Sequence, residues 1–296
     1  MIALDELQDA VGGAVRIGHS LGPCSALGVG GPADYYVEPR SRAELLGALR
    51  YLTARGVPVI LVRQGANFLV SDEGFRGAAL NVETALGGIE TDGRNVRVEA
   101  GVSLARLAEF AVGRSLGGVE TLAGERGTVG GAVVRGLPAL LAHAQTVEVF
   151  DGARERTQAA SEPLRSSADG FPLVLAVTLG LDPAPAEVLM RSRREHLVRL
   201  NDAQPINTPR GSVAFRDPQG ASAARLIEEA GMKGSWRGGA MLSERSANIV
   251  VNTGRATAED VVALLRSVQG AVGRKLHRRL ELEMRLVGFR NDLSAA

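Results

Sequence analysis

The run Ala123-Gly124-Glu125-Arg126-Gly127-Thr128-Val129-Gly130-Gly131-Ala132 constrains this chain more than any other stretch. Four glycines within it make a poor helix or strand interior, because glycine gives up the most backbone freedom on ordering. What such a run offers is bare backbone: N–H groups within reach of a ligand, and positive φ. Pyrophosphates and the polar edges of flat cofactors are cradled in this way. Taken alone, the run is equally well explained as a tight turn. Two more clusters shift the balance. Gly28-Val29-Gly30-Gly31-Pro32-Ala33 lies near the start, and Arg63-Gln64-Gly65-Ala66-Asn67 opens a longer stretch that reaches Gly77. Three glycine-rich turns in the first half point to one extended ligand crossing several loops.

The chain has 296 residues, room for two domains of ordinary size. Lys plus Arg number 34 against 33 Asp plus Glu, so no global basic field recruits nucleic acid. A single cysteine, Cys24, excludes an intrachain disulfide and a cysteine-cluster metal site, and fits a reducing cytoplasm. The first residues carry acids and lack a basic and an apolar region, so no secretory leader is expected. No apolar run is long enough for a membrane span. The expected protein is cytoplasmic.

Ser41 and Glu44 predict a capping box opening a helix to about Arg55, with Leu45, Leu46, Leu49 and Leu52 on one face. Val59–Val62 reads as a buried parallel strand. No G-x-G-x-x-G opens a helix after it, which argues against a dinucleotide-binding Rossmann unit. Asn95–Glu99, Thr146–Phe150 and Pro172–Thr178 read as further strands, with a helix capped by Ser103 between the first two. Leu181–Ala186 is a proline-punctuated linker and the expected domain boundary. Beyond it come a basic helix from Glu187 to Leu200, a helix starting at Ser222, and a helix capped by Thr257. A terminal strand from Leu280 to Val287 alternates leucine and methionine against Glu281, Glu283 and Arg285.

The four histidines are scattered without metal-binding spacing, so no metal is expected. There is no G-x-S-x-G. The side chains carry no hydride or electron carrier of their own, so redox chemistry here requires a bound cofactor.

In order, LGVGGPADYYVEP (27–39), VRQGANFLVSDEGFRG (62–77) and GERGTVGGA (124–132) resemble the flavin domain of the UDP-N-acetylenolpyruvoylglucosamine reductase (MurB) family. AQPINTP (203–209), AFRDP (214–218), ARLIEEAGMKG (224–234), SANIVVNTG (246–254) and LELEMRLVG (280–288) resemble its substrate domain and C-terminal segment, in a compact type of the family. The resemblance implies an α/β (α+β) fold: a two-lobed FAD-binding domain of the MurB/PCMH type and a smaller α+β substrate-binding domain. The implied extents are residues 1–185 for the first (lobes about 1–80 and 81–185), 186–275 for the second, and a segment 276–296 returning to the FAD domain.

The implied activity is NADPH-dependent reduction of UDP-N-acetylglucosamine enolpyruvate to UDP-N-acetylmuramate through bound FAD, in peptidoglycan precursor synthesis. The implied cofactor residues are Gly28, Gly30, Gly31, Arg63, Gly65, Ala66, Asn67, Phe68, Leu69, Gly124, Gly127, Thr128, Val129, Gly130, Gly131 and Ala132. An arginine and a glutamate serve the enolate in this family, and they match Arg165, in Leu164-Arg165-Ser166-Ser167, and Glu283, in Leu280-Glu281-Leu282-Glu283. Arg216 and Lys233 are candidates to meet the UDP phosphates, or else solvated surface cations.

The family's proton-donating serine sits two residues before the Phe of F-K-N-P. Without gaps that position is Val213, and Ser212 lies one residue earlier. Ser212 is the candidate donor if the loop is shifted, since one residue of shift in an extended segment reverses side-chain direction. Glu125-Arg126 stands where the family has Ile-Pro, and the family's Asn-Ala-Gly-Ala-Tyr-Gly is replaced after Arg135. These departures leave a second reading open: a catalytically impaired flavin or nucleotide-sugar binding protein of the same fold. An FAD oxidase is a third, weaker reading, since no flavin-attaching histidine stands in the glycine loops.

Overall fold

A computed structural model describes residues 4–63, 67–164, 172–203 and 211–289. The first stretch runs α1 (Leu4–Val11), β1 (Ala14–Ser20), β2 (Pro32–Glu38), α2 (Arg42–Ala54) and β3 (Val59–Val62). Next come β4 (Phe68–Val70), β5 (Phe75–Asn81), β6 (Ile89–Asp92), β7 (Asn95–Glu99), α3 (Leu104–Val112) and β8 (Leu116–Gly117). Then follow α4 (Val129–Arg135), α5 (Pro138–Leu141), β9 (Ala144–Phe150), β10 (Glu155–Ala159), β11 (Leu173–Gly180) and β12 (Asp182–Pro183). The rest is α6 (Ala186–Ala203), β13 (Gly211–Val213), α7 (Ala223–Glu229), β14 (Trp236–Arg237), β15 (Ala240–Leu242), β16 (Ile249–Asn252), α8 (Ala258–Leu276) and β17 (Arg285–Val287). The protein is therefore a mixed α/β fold, as the sequence predicts.

Helix starts follow local chemistry. The Ser41 hydroxyl accepts the Glu44 N–H, while the Glu44 carboxylate takes the Arg40 N–H at 2.7 Å rather than the N-cap's own. Ser103 accepts the Arg106 N–H, and Leu104, Leu107 and Ala108 are fully buried. Thr257 and Asp260 form a reciprocal capping box on α8. The expected cap Ser222 makes no such bond; the Asp217 carboxylate accepts the Ala223 N–H instead, at 2.8 Å.

The chain divides into two compact units. Unit 1 comprises residues 1–16, 36–63 and 78–200, and unit 2 comprises 17–35, 64–77 and 201–296. Unit 1 holds an antiparallel sheet in the order β10-β9-β11-β7-β6. It also pairs β3 in parallel with Ala78–Asn81 of β5. That matches the parallel reading of Val59–Val62, but β3 is the edge of its sheet and buries only alternate residues. Unit 2 holds the sheet β13-β16-β15-β14, all antiparallel, and the parallel pair β17-β4. Its core gathers Phe215, Ile227, Leu242, Val250, Leu264, Leu265 and Leu280 with Leu27 and Leu69.

The proline-rich boundary expected at 185/186 lies within unit 1, and the units part at 200/201. Helix α6 stays with unit 1 as far as Leu200. The reason is packing: Ser192 donates to Glu120 at 3.1 Å, and Leu197 and Leu200 lie against Gly124. The expected strand 280–287 is also shorter than its pattern suggests. Only Arg285–Val287 pairs with β4, and Leu282 makes a single antiparallel bridge to Phe215. The segment is divided between two partners, so it does not run as one strand. Among the described residues no helix is long and apolar enough to cross a membrane.

Candidate functional site

In unit 2 the chain from Gly211 to Arg216 lies beside the last segment. The Glu283 N–H donates to the Ala214 carbonyl and the Arg216 N–H to the Glu281 carbonyl, each at 2.9 Å. Asn248 clamps this strip through both faces of its amide. It accepts the Phe215 N–H at 2.9 Å and donates to the Phe215 carbonyl at 2.8 Å. Strand alternation then sets directions. Ser212 is 6% exposed and Val213 is 39% exposed. The residue at the ungapped donor position thus points outward, and the serine before it points in.

The Ser212 hydroxyl donates to Oδ1 of Asn67. Asn67 in turn offers its backbone carbonyl to the Arg285 N–H at 3.2 Å, where β17 begins its pairing with β4. Four residues apart from Ser212, Arg216 donates Nε–H to Oε2 of Glu283 at 3.1 Å. The Glu283 side chain is 19% exposed and that of Arg216 is 62%. So the structure gathers Asn67, Ser212, Arg216 and Glu283 onto one strip. Lys233 is engaged elsewhere: its ammonium meets Glu228 at 2.7 Å on a half-exposed surface. Arg165, Gly65 and Ala66 lie outside the described residues.

The glycine loops serve reasons the sequence does not separate. A Cβ on Gly31 would stand 2.4 Å from the Asp72 carbonyl oxygen, so glycine is required by close backbone approach. The Gly31 N–H donates to the Ser71 carbonyl and the Gly28 N–H to Ser25, each at 3.0 Å. In unit 1, Gly127 has φ +117 and its carbonyl accepts the Leu104 N–H. The amides of Val129, Gly130 and Ala132 donate to Val102, Ala100 and Thr128 carbonyls, and that of Gly131 to the Thr128 hydroxyl. At Gly28, Gly31, Val129, Gly130, Gly131 and Ala132 the N–H groups donate within the chain rather than standing bare. Phe68 and Leu69 are engaged likewise. Both side chains are buried, Leu69 in the unit 2 core, and their backbone pairs with Arg285 and Leu286 of β17.

Among the candidate site residues, one group awaits a partner within the described residues. Arg63, at the end of β3, has a buried Nε with no hydrogen-bond partner among the described residues. Burial pushes its pKa down, with Glu83 opposing. A buried charged donor left unpaired costs more than the ~1–3 kcal/mol of a neutral one, so an anionic acceptor belongs here. That fits the phosphates of a flavin nucleotide.

Two other residues support the site and are not singled out by sequence reasoning. Asn252 donates to the Leu27 carbonyl at 2.9 Å, anchoring the first glycine cluster. The Asp72 carboxylate accepts the Ala258 and Glu259 N–H groups at 3.0 and 3.1 Å, holding the start of α8 to the turn that Gly31 packs against. Asn252 and Asp72 stand inside the quoted motifs, but only tertiary partners reveal their use.

Comparison with known proteins agrees with this anatomy. A family profile described as UDP-N-acetylenolpyruvoylglucosamine reductase, C-terminal domain, matches residues 204–287, and one described as FAD binding domain matches residues 33–154. The chain is 37% identical over 286 residues to UDP-N-acetylenolpyruvoylglucosamine reductase 2 of Symbiobacterium thermophilum, covering 93% of each. It is 34% identical over 306 residues to the reductase of Chloroherpeton thalassium, covering 98% of each. Among solved structures, the reductase of Thermus caldophilus superposes with a TM-score of 0.73 at 30% identity, over 93% of this chain and 98% of that one.

Proposed function

This chain belongs to the UDP-N-acetylenolpyruvoylglucosamine reductase family, and from that premise we propose that its strip of Asn67, Ser212, Arg216 and Glu283 carries the substrate chemistry. The protein is an FAD-dependent oxidoreductase. It reduces UDP-N-acetylglucosamine enolpyruvate to UDP-N-acetylmuramate at the expense of NADPH, a step in making peptidoglycan precursors. The relatives' names and coverage favour this over the impaired-binder reading.

FAD, once held by the chain, would supply the hydride chemistry, drawing on NADPH and directing it to the terminal carbon of the enolpyruvyl group. The protein's own residues do the rest. Arg63, whose Nε–H has no partner among the described residues, and the loop residues Gly124 and Gly127 would hold the nucleotide. Hydride addition leaves negative charge shared between the ether-bearing carbon and the carboxylate. Arg165 meets that carboxylate as it becomes enolate-like, a role suited to a permanently charged planar guanidinium. Arg216 fixes Glu283 at the reacting end. Ser212 gives a proton to the ether-bearing carbon, completing the lactyl ether.

The observation that carries this reading is the inward direction of Ser212 on a strip that also holds Glu283. It is tested by single turnover. The FAD-loaded protein is reduced anaerobically with NADPH and mixed with the enolpyruvyl substrate. Prompt return of the oxidised flavin band is expected in the native protein. In Ser212→Ala the return slows by about 100-fold, the lower range for loss of a general acid. An unslowed return in Ser212→Ala, together with a slow one in Val213→Ala, would move the donor role away from Ser212.

A further inference from the structure

Ser212 must release a proton, yet its hydroxyl hydrogen is directed into Oδ1 of Asn67. It is also withdrawn from bulk water, at 6% exposure. A serine that gives up its proton there becomes a buried alkoxide. Without a donor beside it, that anion is strongly disfavoured. Across β13 and β16, Ser212 faces Val250, whose side chain offers no hydrogen bond. Among the described residues, the polar side chain set against the hydroxyl is Asn67.

We propose that Asn67 is the positioning residue for proton delivery by Ser212, an inference that rests on Ser212 being the proton donor. A carboxamide has an acceptor on one side and two donors on the other, in nearly the same shape. Its terminal torsion is soft and roughly two-fold. A half-turn therefore places Nδ2–H where Oδ1 stands and disturbs little else. The Asn67 backbone stays fixed meanwhile, because its carbonyl accepts from Arg285 and the next residue enters β4.

In the first orientation the amide parks the hydroxyl hydrogen away from the substrate. In the second it frees that hydrogen and keeps a donor on the oxygen that loses it. The step balances. The Ser212 O–H bond breaks and a C–H bond forms at the ether-bearing carbon. The O–H electron pair remains on Oγ, stabilised by Asn67 Nδ2–H. Solvent then returns a proton to Oγ, so each turnover consumes one solvent proton along with the hydride from NADPH.

The test uses the full-length, FAD-loaded protein and separates the two half-reactions. Net flavin reoxidation reports the proton as well as the hydride, because hydride addition without protonation is uphill. Asn67→Asp keeps the shape but at pH 8 only accepts. There, reoxidation by substrate is expected to slow about 100-fold, the scale of losing one donor to an oxyanion, and flavin reduction by NADPH to change far less. Lowering the pH toward about 5 protonates part of the introduced carboxyl, whose O–H then donates, and reoxidation recovers about tenfold. The native profile over the same range, with Glu283, Arg216 and Arg285 unchanged beside the site, is the control.

A merely structural role would not give that recovery. Native-rate reoxidation at pH 8, or a slow rate flat with pH, overturns the inference. Ser212→Ala is run alongside. If it is not slowed, the Ser212 reading itself fails; if it is slowed while Asn67→Asp is not, only the Asn67 inference fails. Should Asn67→Asp not retain flavin, Asn67→Ala decides: slowed reoxidation with an increased solvent isotope effect supports the inference, and native behaviour overturns it. Loss of flavin from both variants also overturns it, since the amide would then serve the cofactor and not Ser212.

Discussion

Glu283 takes a hydrogen bond from Arg216, most of whose side chain lies in solvent. An exposed partner of this kind adds little stability, so the pair's value is orientation. Glu283→Gln is expected to lower kcat by about 100-fold while thermal stability and flavin content stay native, as read by steady-state rates, melting and absorbance. Arg216→Ala leaves Glu283 in place but less directed, and is expected to raise KM for the UDP-sugar more than it lowers kcat. Such identities are legible in the sequence, because a glutamate in Leu-Glu-x-Glu or a serine after a glycine is visible as written. Their directions are not. Whether Ser212 or Val213 faces the site depends on the register of β13 against β16, and that is fixed by partners far along the chain, Gly211 against Val251, Ser212 against Val250 and Val213 against Ile249. Lys233 shows the converse: a motif lysine whose structural partner is a neighbouring surface glutamate.

At the scale of elements, the start of α8 is the most heavily supported helix end described here. Thr257 and Asp260 satisfy it locally, and Asp72 accepts two more of its amides from a turn far back in the chain. Asp72→Ala leaves both amides without that acceptor. It is expected to cost about 1–3 kcal/mol in urea unfolding, against ~1 kcal/mol for Thr257→Ala. The capping box is readable from four adjacent residues; the Asp72 contribution is not, because nothing local to either segment names the other.

Helix α2 and the unit 1 sheet share a second such joint. Glu148 of β9 receives Arg97 Nε–H at 2.6 Å and Arg42 Nη1–H at 2.7 Å. The Arg97 hydrogen bond chiefly holds its carboxyl below the ordinary 4.5, against the opposing effect of burial, and Arg42 adds to the lowering. A pKa depressed by folding contributes stability that is complete above the unfolded value and lost as pH falls through the folded one. The melting temperature is therefore expected to fall below about pH 4.5, and Glu148→Gln to flatten that part of the profile.

At the scale of the whole molecule, the chain passes between the two units five times, at 16/17, 35/36, 63/64, 77/78 and 200/201. A fragment of residues 201–296 lacks β4, which pairs with β17, and Asp72, which holds α8. Expressed alone, it is expected to show no cooperative melting transition by circular dichroism. Addition of the missing segments in the full chain restores one. A division read along the sequence, with a boundary at the prolines before Ala186, misses this interleaving, because it places each residue with its neighbours in the chain. Leu27 and Leu69 belong to a core made mostly of residues beyond 213.

By itself the sequence determined the fold class, the capped starts of α2, α3 and α8 and the parallel pairing of β3, but not that the run with Gly130 and Gly131 enters helix α4. What it determined depends on propensities and caps that act within a few residues. Tertiary structure alone decided that Ser212 faces inward, that Glu283 is held by Arg216, that Phe68 and Leu69 are core, and that Asp72 caps a helix. Each of those turns on strand register or on a long-range partner, and such pairings are chosen by the energy of the assembled core rather than by any local stretch of chain.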